Sequence, residues 1–389
     1  MSYVSVRPSV RRDRGRAFFA VAASAAVALS MAALSVGGAA GAAGNGHHPQ
    51  HESSFLGQFS TVTTIGSTVP GNGDQNPYGI VVVPRSIGDL VKGDTLISNF
   101  NDMGNTQGTG TTLVELNAAG TLTTFATIDP TKLPGACPGG VGLTTALAVL
   151  PHGFVVVGSL PVDSTGTPQA GCLILLNSLG VPVETWSGGD INGPWDLTAR
   201  ITGSFTTLFV TNVLNGTVAA AGAQVNDGTV VRLEVVTPRA HMPRLLREKV
   251  IANGFPEQLN GAALVLGPTG VALGAQGTLY VADNIGNRIA SIPHATSRQT
   301  VFGTPAGITV SSGGALANPL GLVTAPNGNL VAMNSNNGNA VEVEPDGDQI
   351  ANPLLDSAGA GVLFGAAIAA DGHGLLFVDD GDNTLRIFS

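Results

Sequence analysis

The sequence predicts an all-β fold, a six-bladed β-propeller built from four-stranded antiparallel blades. One phrase, Gly-Thr-Leu-Tyr-Val-Ala-Asp at residues 277–283, reads as a strand that ends in a polar corner. Weaker copies recur, and each follows one apolar strand and precedes another, which indicates a repeated unit of four short strands. One such sheet cannot bury both of its faces, so the units must pack around a ring. The six copies occupy residues 94–99, 153–159, 207–212, 277–283, 328–334 and 374–380.

Within each predicted blade, the first strand lines a central channel and the recurring phrase forms the second strand. Tight turns are expected between these two strands, because Gly and Pro interrupt the chain there, as at Pro326 and Gly328. The Asn-Gly pair in this segment accepts positive φ at low cost, which favours a hairpin. The innermost strands are predicted at residues 78–83, 145–150, 195–200, 269–273, 320–325 and 364–369.

The strand count indicates how the ring closes. Third strands are predicted at residues 112–116, 173–176, 229–235, 288–292, 340–344 and 384–388. Outer strands are predicted at residues 122–128, 181–186, 249–252, 299–302 and 349–354, which leaves the sixth blade incomplete. Residues 59–65 form an isolated β-branched run before the first blade. We expect this run to complete the last blade, because that pairing removes two exposed sheet edges.

Residues 1–43 have the pattern of a secretory signal peptide. Five arginines precede an apolar run at residues 17–36, which leads into small residues. The alternative is a retained membrane anchor, since the run is long enough to span a bilayer. We predict that residues 44–57 form a flexible N-terminal segment and that residues 58–389 form the propeller. The product is then secreted or periplasmic, without membrane contact after cleavage.

The charge and cysteine content narrow the classes of partner. Outside residues 1–43 the chain keeps 12 of its 17 basic residues and 25 of its 26 acidic residues. This acidic balance disfavours nucleic acid and anionic membranes as partners. The chain has two cysteines, Cys137 and Cys172. In an exported protein such a pair predicts a disulfide, and two free thiols are the alternative.

A ring of polar side chains is predicted at the mouth of the channel. The loops that enter first strands and leave second strands share one face of a propeller, which we call the loop face. Oxygen-rich side chains there suit a divalent cation such as calcium, with Asp283 and Asp380 as candidate ligands. The alternative is a structural role, in which each side chain accepts main-chain N–H bonds at its strand corner. The predicted ring consists of Asn99, Ser159, Asn212, Asp283, Asn334 and Asp380.

Residues 267–273, 277–283 and 287–289 together resemble an NHL repeat, and residues 317–330 resemble the opening of another. The resemblance implies the propeller fold, with the gluconolactonase-like hydrolases and the streptogramin lyases among its relatives. NHL proteins also serve as binding platforms. A gluconolactonase-like enzyme holds a divalent cation at the channel mouth, and the resemblance implies a glutamate at the start of the first inner strand. This chain has Asn76 near that position instead.

The histidines argue against lyase or zinc chemistry. His152 and His373 lie in turns between first and second strands, on the face opposite the loop face, and His241 and His294 follow third strands on that same opposite face. Catalysis of either kind needs imidazoles that converge at the channel mouth.

Long loops on the loop face favour binding over catalysis. Loops clustered on one rim of a rigid scaffold are typical of a recognition surface. Trp195 faces either the channel mouth or the core. We therefore predict a monomer that binds a protein or small-molecule ligand through this face. The alternatives are a divalent-cation-dependent hydrolase of the gluconolactonase type and a structural component of the cell envelope. The long loops are residues 100–110, 130–140, 160–171, 213–228 and 255–267.

Overall fold

The computed structural model describes residues 53–303 and 306–389. The predicted signal peptide, residues 1–43, lies outside the described residues. Regular structure in the described residues is β-sheet, apart from short 3₁₀ turns such as Leu56–Gln58 and Pro130–Lys132. No helix in this part of the chain is long and apolar enough to cross a membrane.

The strands form six sheets, as predicted, and the chain is a six-bladed β-propeller. The first strand, β1 (Val62–Ser67), precedes the first blade. Blade one contains β2 (Gln75–Val82), β3 (Thr95–Asn101), β4 (Thr112–Leu116) and β5 (Leu122–Thr127). Blade two contains β6 (Leu143–Val149), β7 (Val155–Ser159), β8 (Cys172–Leu176) and β9 (Pro182–Trp186). Blade three has a fifth strand and contains β10 (Gly193–Thr202), β11 (Phe205–Val213), β12 (Val225–Val236), β13 (Arg244–Asn260) and β14 (Leu264–Leu266).

The second half of the chain continues the same order within each sheet. Blade four contains β15 (Pro268–Leu273), β16 (Leu279–Asp283), β17 (Arg288–Ile292) and β18 (Ile308–Ser312). Blade five contains β19 (Pro319–Thr324), β20 (Leu330–Asn334), β21 (Ala340–Val343) and β22 (Gln349–Ala351). Blade six contains β23 (Leu363–Ile368), β24 (Leu375–Asp379) and β25 (Thr384–Phe388), and β1 completes it.

The ring closes as the sequence predicts. Strand β1 pairs antiparallel with β25, and the register places Val62 opposite Phe388 and Ser67 opposite Thr384. The observed strand begins and ends slightly later than the predicted residues 59–65. The two ends of the propeller therefore share one sheet, in which β25 is paired along both edges and β1 is the outer strand.

The packed domain begins before residue 58. The segment predicted to be flexible, residues 44–57, lies mostly outside the described residues, but Phe55 and Leu56 are buried. The carboxylate of Glu342 accepts hydrogen bonds from both of their main-chain N–H groups, at 2.8 Å each, and from the Ser54 hydroxyl at 2.6 Å. This buried carboxylate ties the N-terminal segment to blade five.

Burial follows the layering of the blades. Strands β3, β6, β7 and β8 are buried at every residue, because neighbouring blades cover both of their faces. Outer strands such as β5 have exposed positions, since solvent covers part of their surface. This difference explains why the sequence located the inner and second strands more accurately than the outer ones.

Two predicted elements were wrong. The outer strand of blade four is β18 and not residues 299–302. Phe302 instead bridges to blade three, where its N–H donates to the Ile251 carbonyl at 2.8 Å and its carbonyl accepts from the N–H of Asn253 at 3.1 Å. Residues 255–267, predicted as a loop, contain the end of β13 and all of β14, which pair as a hairpin.

Candidate functional site

Five of the six predicted ring residues occupy one equivalent position in the sheets. Asn99, Ser159, Asn212, Asp283 and Asn334 each lie opposite a residue at or near the start of the neighbouring inner strand. All five are buried. The structure places them at five separate strand corners of the ring, in five different blades, and not in a shared cluster.

The bonds at these corners are structural. The side-chain oxygen of Asn212 accepts from the main-chain N–H groups of Asn192 and Gly193, at 2.9 Å each. The Ser159 hydroxyl accepts from the N–H of Gly142 at 3.0 Å. These side chains replace main-chain partners where the chain turns into an inner strand, which matches the alternative considered from the sequence.

The carboxylate of Asp283 is likewise committed within its own blade. It accepts from the N–H of Gly286 at 3.0 Å and forms an ion pair with Arg288 at 2.8 Å. Burial raises the pKa of Asp283, and the Arg288 charge opposes that rise. Asp283 and Asp380 belong to blades four and six, and the residues that line the pocket around Asp380 do not include Asp283.

The sixth corner residue is Asp379, and the prediction that Asp380 is equivalent to the others was wrong. Asp379 lies opposite Leu363, accepts from the N–H of Gly381 at 2.9 Å and pairs with Arg386 at 3.1 Å. The turn between β23 and β24 has one residue more than the turns in blades two, four and five. Counting six residues from Gly374, as from the turn glycines of blades two, four and five, therefore reaches Asp380, which is one residue past the corner.

Asp380 instead lines a polar pocket of about 540 Å³ on the loop face. The side-chain amide of Asn76, with its nitrogen towards Asp380, donates to the carboxylate, and its oxygen accepts from Asn101 at 2.9 Å. Asn101 also donates to the side chain of Asn105 at 2.7 Å. The polar side chains around this pocket are Gln75, Asn76, Asn101, Asn105, Gln107, Asp380 and Asn383.

The pocket has one carboxylate in an environment of amides. Burial raises the pKa of Asp380 to about 7, and the neighbouring charge of Asp379 adds to the rise. No Lys or Arg is among the described residues that line the pocket. The side-chain oxygen of Asn101 is buried and has no hydrogen-bond partner in the described structure. The arrangement offers hydrogen-bond donors and acceptors with little net charge.

An aromatic stack lies beneath the polar pocket and separates it from the central channel. The ring of Tyr78 stacks between Phe100, at 4.5 Å between centroids, and Phe364, at 4.0 Å. Burial raises the pKa of Tyr78 well above 10, and the charge of Asp380 adds to this rise. Trp195 also stacks on Tyr78, at 6.3 Å, and is buried. Of the two positions considered for Trp195, the structure shows the core.

The β13–β14 hairpin completes this seal. Leu264 and Val265 are buried in the same cluster as the aromatic stack. The indole N–H of Trp195 donates to the Val265 carbonyl at 2.9 Å, which fixes the hairpin across the channel.

Neighbouring loops on the loop face are joined by hydrogen bonds. The side chain of Gln107 donates to the Gly261 carbonyl at 3.1 Å, and that of Gln258 donates to Gly222 at 2.7 Å. Cys137 and Cys172 form the predicted disulfide, with an S–S distance of 2.11 Å and Cα atoms 5.2 Å apart. The bridge ties the loop before β6 to the start of β8.

The four histidines named from the sequence lie where the strand order placed them. His152 and His373 occupy turns between first and second strands, and His241 and His294 follow β12 and β17. All four connections are on the face opposite the loop face, which we call the turn face. None of these histidines lines the pocket around Asp380.

The fold is shared with solved propellers of several activities. The chain is similar to a calcium-binding protein, regucalcin, from Agrobacterium tumefaciens, with 14% identity, a TM-score of 0.51, and 84% of this chain and 94% of that one covered. A gluconolactonase from Xanthomonas campestris has 14% identity and a TM-score of 0.47, over 84% and 88% of the two chains. A virginiamycin B lyase from Staphylococcus aureus has 15% identity and a TM-score of 0.48, over 85% and 99%.

The likeness to regucalcin shows the six-bladed propeller fold alone. No protein-family model matches the chain, and no curated protein matches it. Propellers of this fold host unrelated activities, so function has to be argued from the site.

Proposed function

We propose that the chain is an exported, NHL-like β-propeller that binds a polar, uncharged ligand at the loop-face pocket around Asp380. The observation that carries the proposal is the pocket itself, in which amide side chains surround one carboxylate above a sealed aromatic floor. Amides both donate and accept, so they match ligand hydroxyl groups, as in a sugar. The exported location rests on the sequence pattern of residues 1–43, and the Cys137–Cys172 disulfide supports it.

Preorganisation of the site favours binding. The loop-to-loop bonds of Gln107 and Gln258 and the disulfide restrain the rim before any ligand arrives. A restrained rim loses less conformational entropy on binding, so a larger share of the contact energy appears as affinity.

The test measures binding of neutral sugars, such as glucose and maltose, by isothermal titration calorimetry. We expect Asp380→Asn and Asn101→Ala each to weaken binding by about tenfold, because the first replaces a carboxylate oxygen that accepts hydrogen bonds by an NH2 group and the second removes an amide side chain. Asp348→Asn, an exposed change on the turn face, is the matched control and leaves the affinity unchanged. Absence of sugar binding, or equal affinity in all three variants, would contradict the proposal.

The alternative function is a calcium-dependent hydrolase of the gluconolactonase type. The unpaired side-chain oxygen of Asn101 favours this hydrolase function. That oxygen and the Asp380 carboxylate are ligands of the kind that calcium prefers. Asp283 does not join them, since its carboxylate bonds Arg288. A bound cation there would polarise a ligand carbonyl.

Metal analysis distinguishes the two functions. Stoichiometric calcium in the purified protein, lost in Asp380→Ala together with hydrolysis of gluconolactone, would favour the hydrolase. Protein that takes up no calcium in calcium-containing buffer, and that leaves gluconolactone intact, would favour binding alone.

A further inference from the structure

A second cavity, of about 430 Å³, occupies the central channel on the other side of the aromatic stack. The inner strands run from the loop face to the turn face, and their exposure rises along that direction. In β10, residues 193–197 are buried and residues 200–202 are exposed. The aromatic stack and the hairpin close the other end. The channel is therefore blind and opens at the turn face, and its volume is typical of small-ligand sites.

One carboxyl group lines this channel at a position where the other blades have Gly or Ala. The position is defined by strand pairing. Leu197 pairs with Val210, which lies two residues before the corner residue Asn212, and Asp196 directly precedes Leu197. A Cβ at the equivalent Gly270 would lie 2.4 Å from the Leu320 carbonyl, because adjacent inner strands approach closely there. Blade three alone has a longer side chain at this point. The equivalent residues in the other five blades are Gly79, Ala146, Gly270, Gly321 and Gly365.

Asp196 bridges two inner strands. Its Oδ2 accepts from the N–H of Val271 in blade four at 3.0 Å. The side chain is 8% exposed and borders the cavity. Burial raises the pKa of Asp196 to about 8, although the N–H groups of Val271 and Leu197 oppose the rise. No Lys, Arg or His is among the described residues that line the cavity, so no cation neutralises this carboxyl.

The remaining walls of the channel are mainly aliphatic. They carry side chains such as Leu147, Leu197 and Val271, together with Thr198 and Thr324. The hydroxyl of Thr145, on the neighbouring inner strand β6, is enclosed and makes no hydrogen bond in the described structure. The cavity thus combines one carboxyl group with largely aliphatic walls.

We propose that this channel binds an aliphatic primary amine, with its ammonium group at Asp196 and its chain extended towards the turn face. An ammonium group supplies hydrogen-bond donors and a positive charge, which match the carboxylate of Asp196. The alkyl chain buries apolar surface against the aliphatic walls. An acid would place a second carboxyl group against Asp196 in a low-dielectric site. An alcohol brings no positive charge to pair with a carboxylate, so the carboxyl group of Asp196 would stay protonated.

The test is isothermal titration calorimetry with n-octylamine, n-octanol and octanoate at neutral pH. We expect octylamine to bind one to one and at least tenfold more tightly than either analogue. Asp196→Asn keeps an acceptor for the N–H of Val271 and removes the charge, so octylamine affinity falls at least tenfold while octanol affinity does not change. Asp380→Asn, on the other side of the aromatic stack, leaves octylamine binding unchanged, which separates this proposal from the proposed function.

A second variant keeps the test decisive if Asp196→Asn does not fold. Ala199→Trp fills the channel away from Asp196, and we expect it to abolish octylamine binding, with a wild-type circular dichroism spectrum as the folding check. Octanol or octanoate binding as tightly as octylamine would overturn the proposal. Full octylamine affinity in folded Asp196→Asn, or in Ala199→Trp, would overturn it as well.

Discussion

At the scale of single residues, the buried carboxyl group of Glu257 makes stability depend on pH. Glu257 is 0% exposed on β13, and burial raises its pKa from 4.5 to about 7, with the charge of Asp227 adding to the rise. The main-chain N–H groups of Leu214 and Asn215 oppose it. The raised pKa means that the folded state favours the protonated acid. Its stabilisation is complete below pH 4.5 and is lost as the pH rises to about 7.

We therefore predict that Glu257→Gln gains stability relative to the wild type as the pH rises. The difference in unfolding free energy should grow by about 3 kcal/mol between pH 4.5 and 8, because Gln stays neutral throughout. Urea unfolding across this pH range measures it. Leu179→Gln, an exposed change that neither adds nor removes a titratable group, is the control and keeps a constant difference. A pH-independent difference for Glu257→Gln would show that the carboxyl does not titrate as argued.

The individual site residues were only partly predictable. The sequence located the corner positions of Asn99 and Asn212, because each follows a recognisable strand. It could not show that the side-chain oxygen of Asn212 accepts from the main chain or that the side-chain amide of Asn99 donates to the Thr68 carbonyl. The extra turn residue in blade six moved the sixth corner to Asp379. Asp196 was missed as a candidate, although its position among equivalent glycines was a readable signal, since a carboxyl there interrupts a regular pattern.

At the scale of elements, the blade-two disulfide restrains the loop face. Cys137 and Cys172 are 35 residues apart, so the bridge closes a long segment that includes β6 and β7. Closing a loop of this size stabilises a protein by about 3–4 kcal/mol in the chain-entropy treatment.

We predict that the Cys137→Ala, Cys172→Ala double variant loses about this much stability in urea at 25 °C. The bridged loop should also become more sensitive to proteolysis, because its two ends are no longer joined. Wild-type protein with its disulfide reduced is the matched comparison and should lose a similar amount. Unchanged unfolding midpoints in both samples would mean that the bridge does not constrain the unfolded chain.

The β13–β14 hairpin shows why some elements escape sequence reasoning. Residues 255–267 contain Gly and Pro and lack regular alternation, which favours a loop. The hairpin forms because Ala263, Leu264 and Val265 bury their side chains against aromatic residues from other blades. Such tertiary burial is invisible in a local pattern. The role expected of residues 255–267 changes as well, from a loop of the recognition surface to the hairpin that closes the channel.

At the scale of the whole molecule, the sequence determines the number of blades because each blade is a local unit. Its second strand is buried on both faces and ends in a polar corner, so six copies can be counted directly. The outer strands are harder to locate, since most of their residues are not buried. The true outer strand of blade four, β18, has a mostly exposed pattern and carries little apolar signal.

Ring closure depends on the pairing of β1 with β25, and its loss should affect every blade. Removing residues 383–389 deletes β25, exposes the edges of β1 and β24, and uncovers the core around Leu385 and Phe388, which are buried. We predict that the truncated chain unfolds at a much lower temperature and without a single cooperative transition, because a propeller of this size has only about 5–15 kcal/mol of net stability.

A circular permutant separates loss of the strand from disturbance of the chain ends. The main-chain carbonyl of Ser389 accepts from the N–H of Thr61 at 3.0 Å, so the two ends already lie side by side. Joining Ser389 to Ser53 through a flexible Gly-Ser linker, with new ends at the exposed turn of Ala118 and Ala119, retains every strand. We expect this permutant to unfold cooperatively, near the wild-type temperature, in differential scanning calorimetry. If the truncated chain matched it, closure by β1 and β25 would not be what holds the ring together.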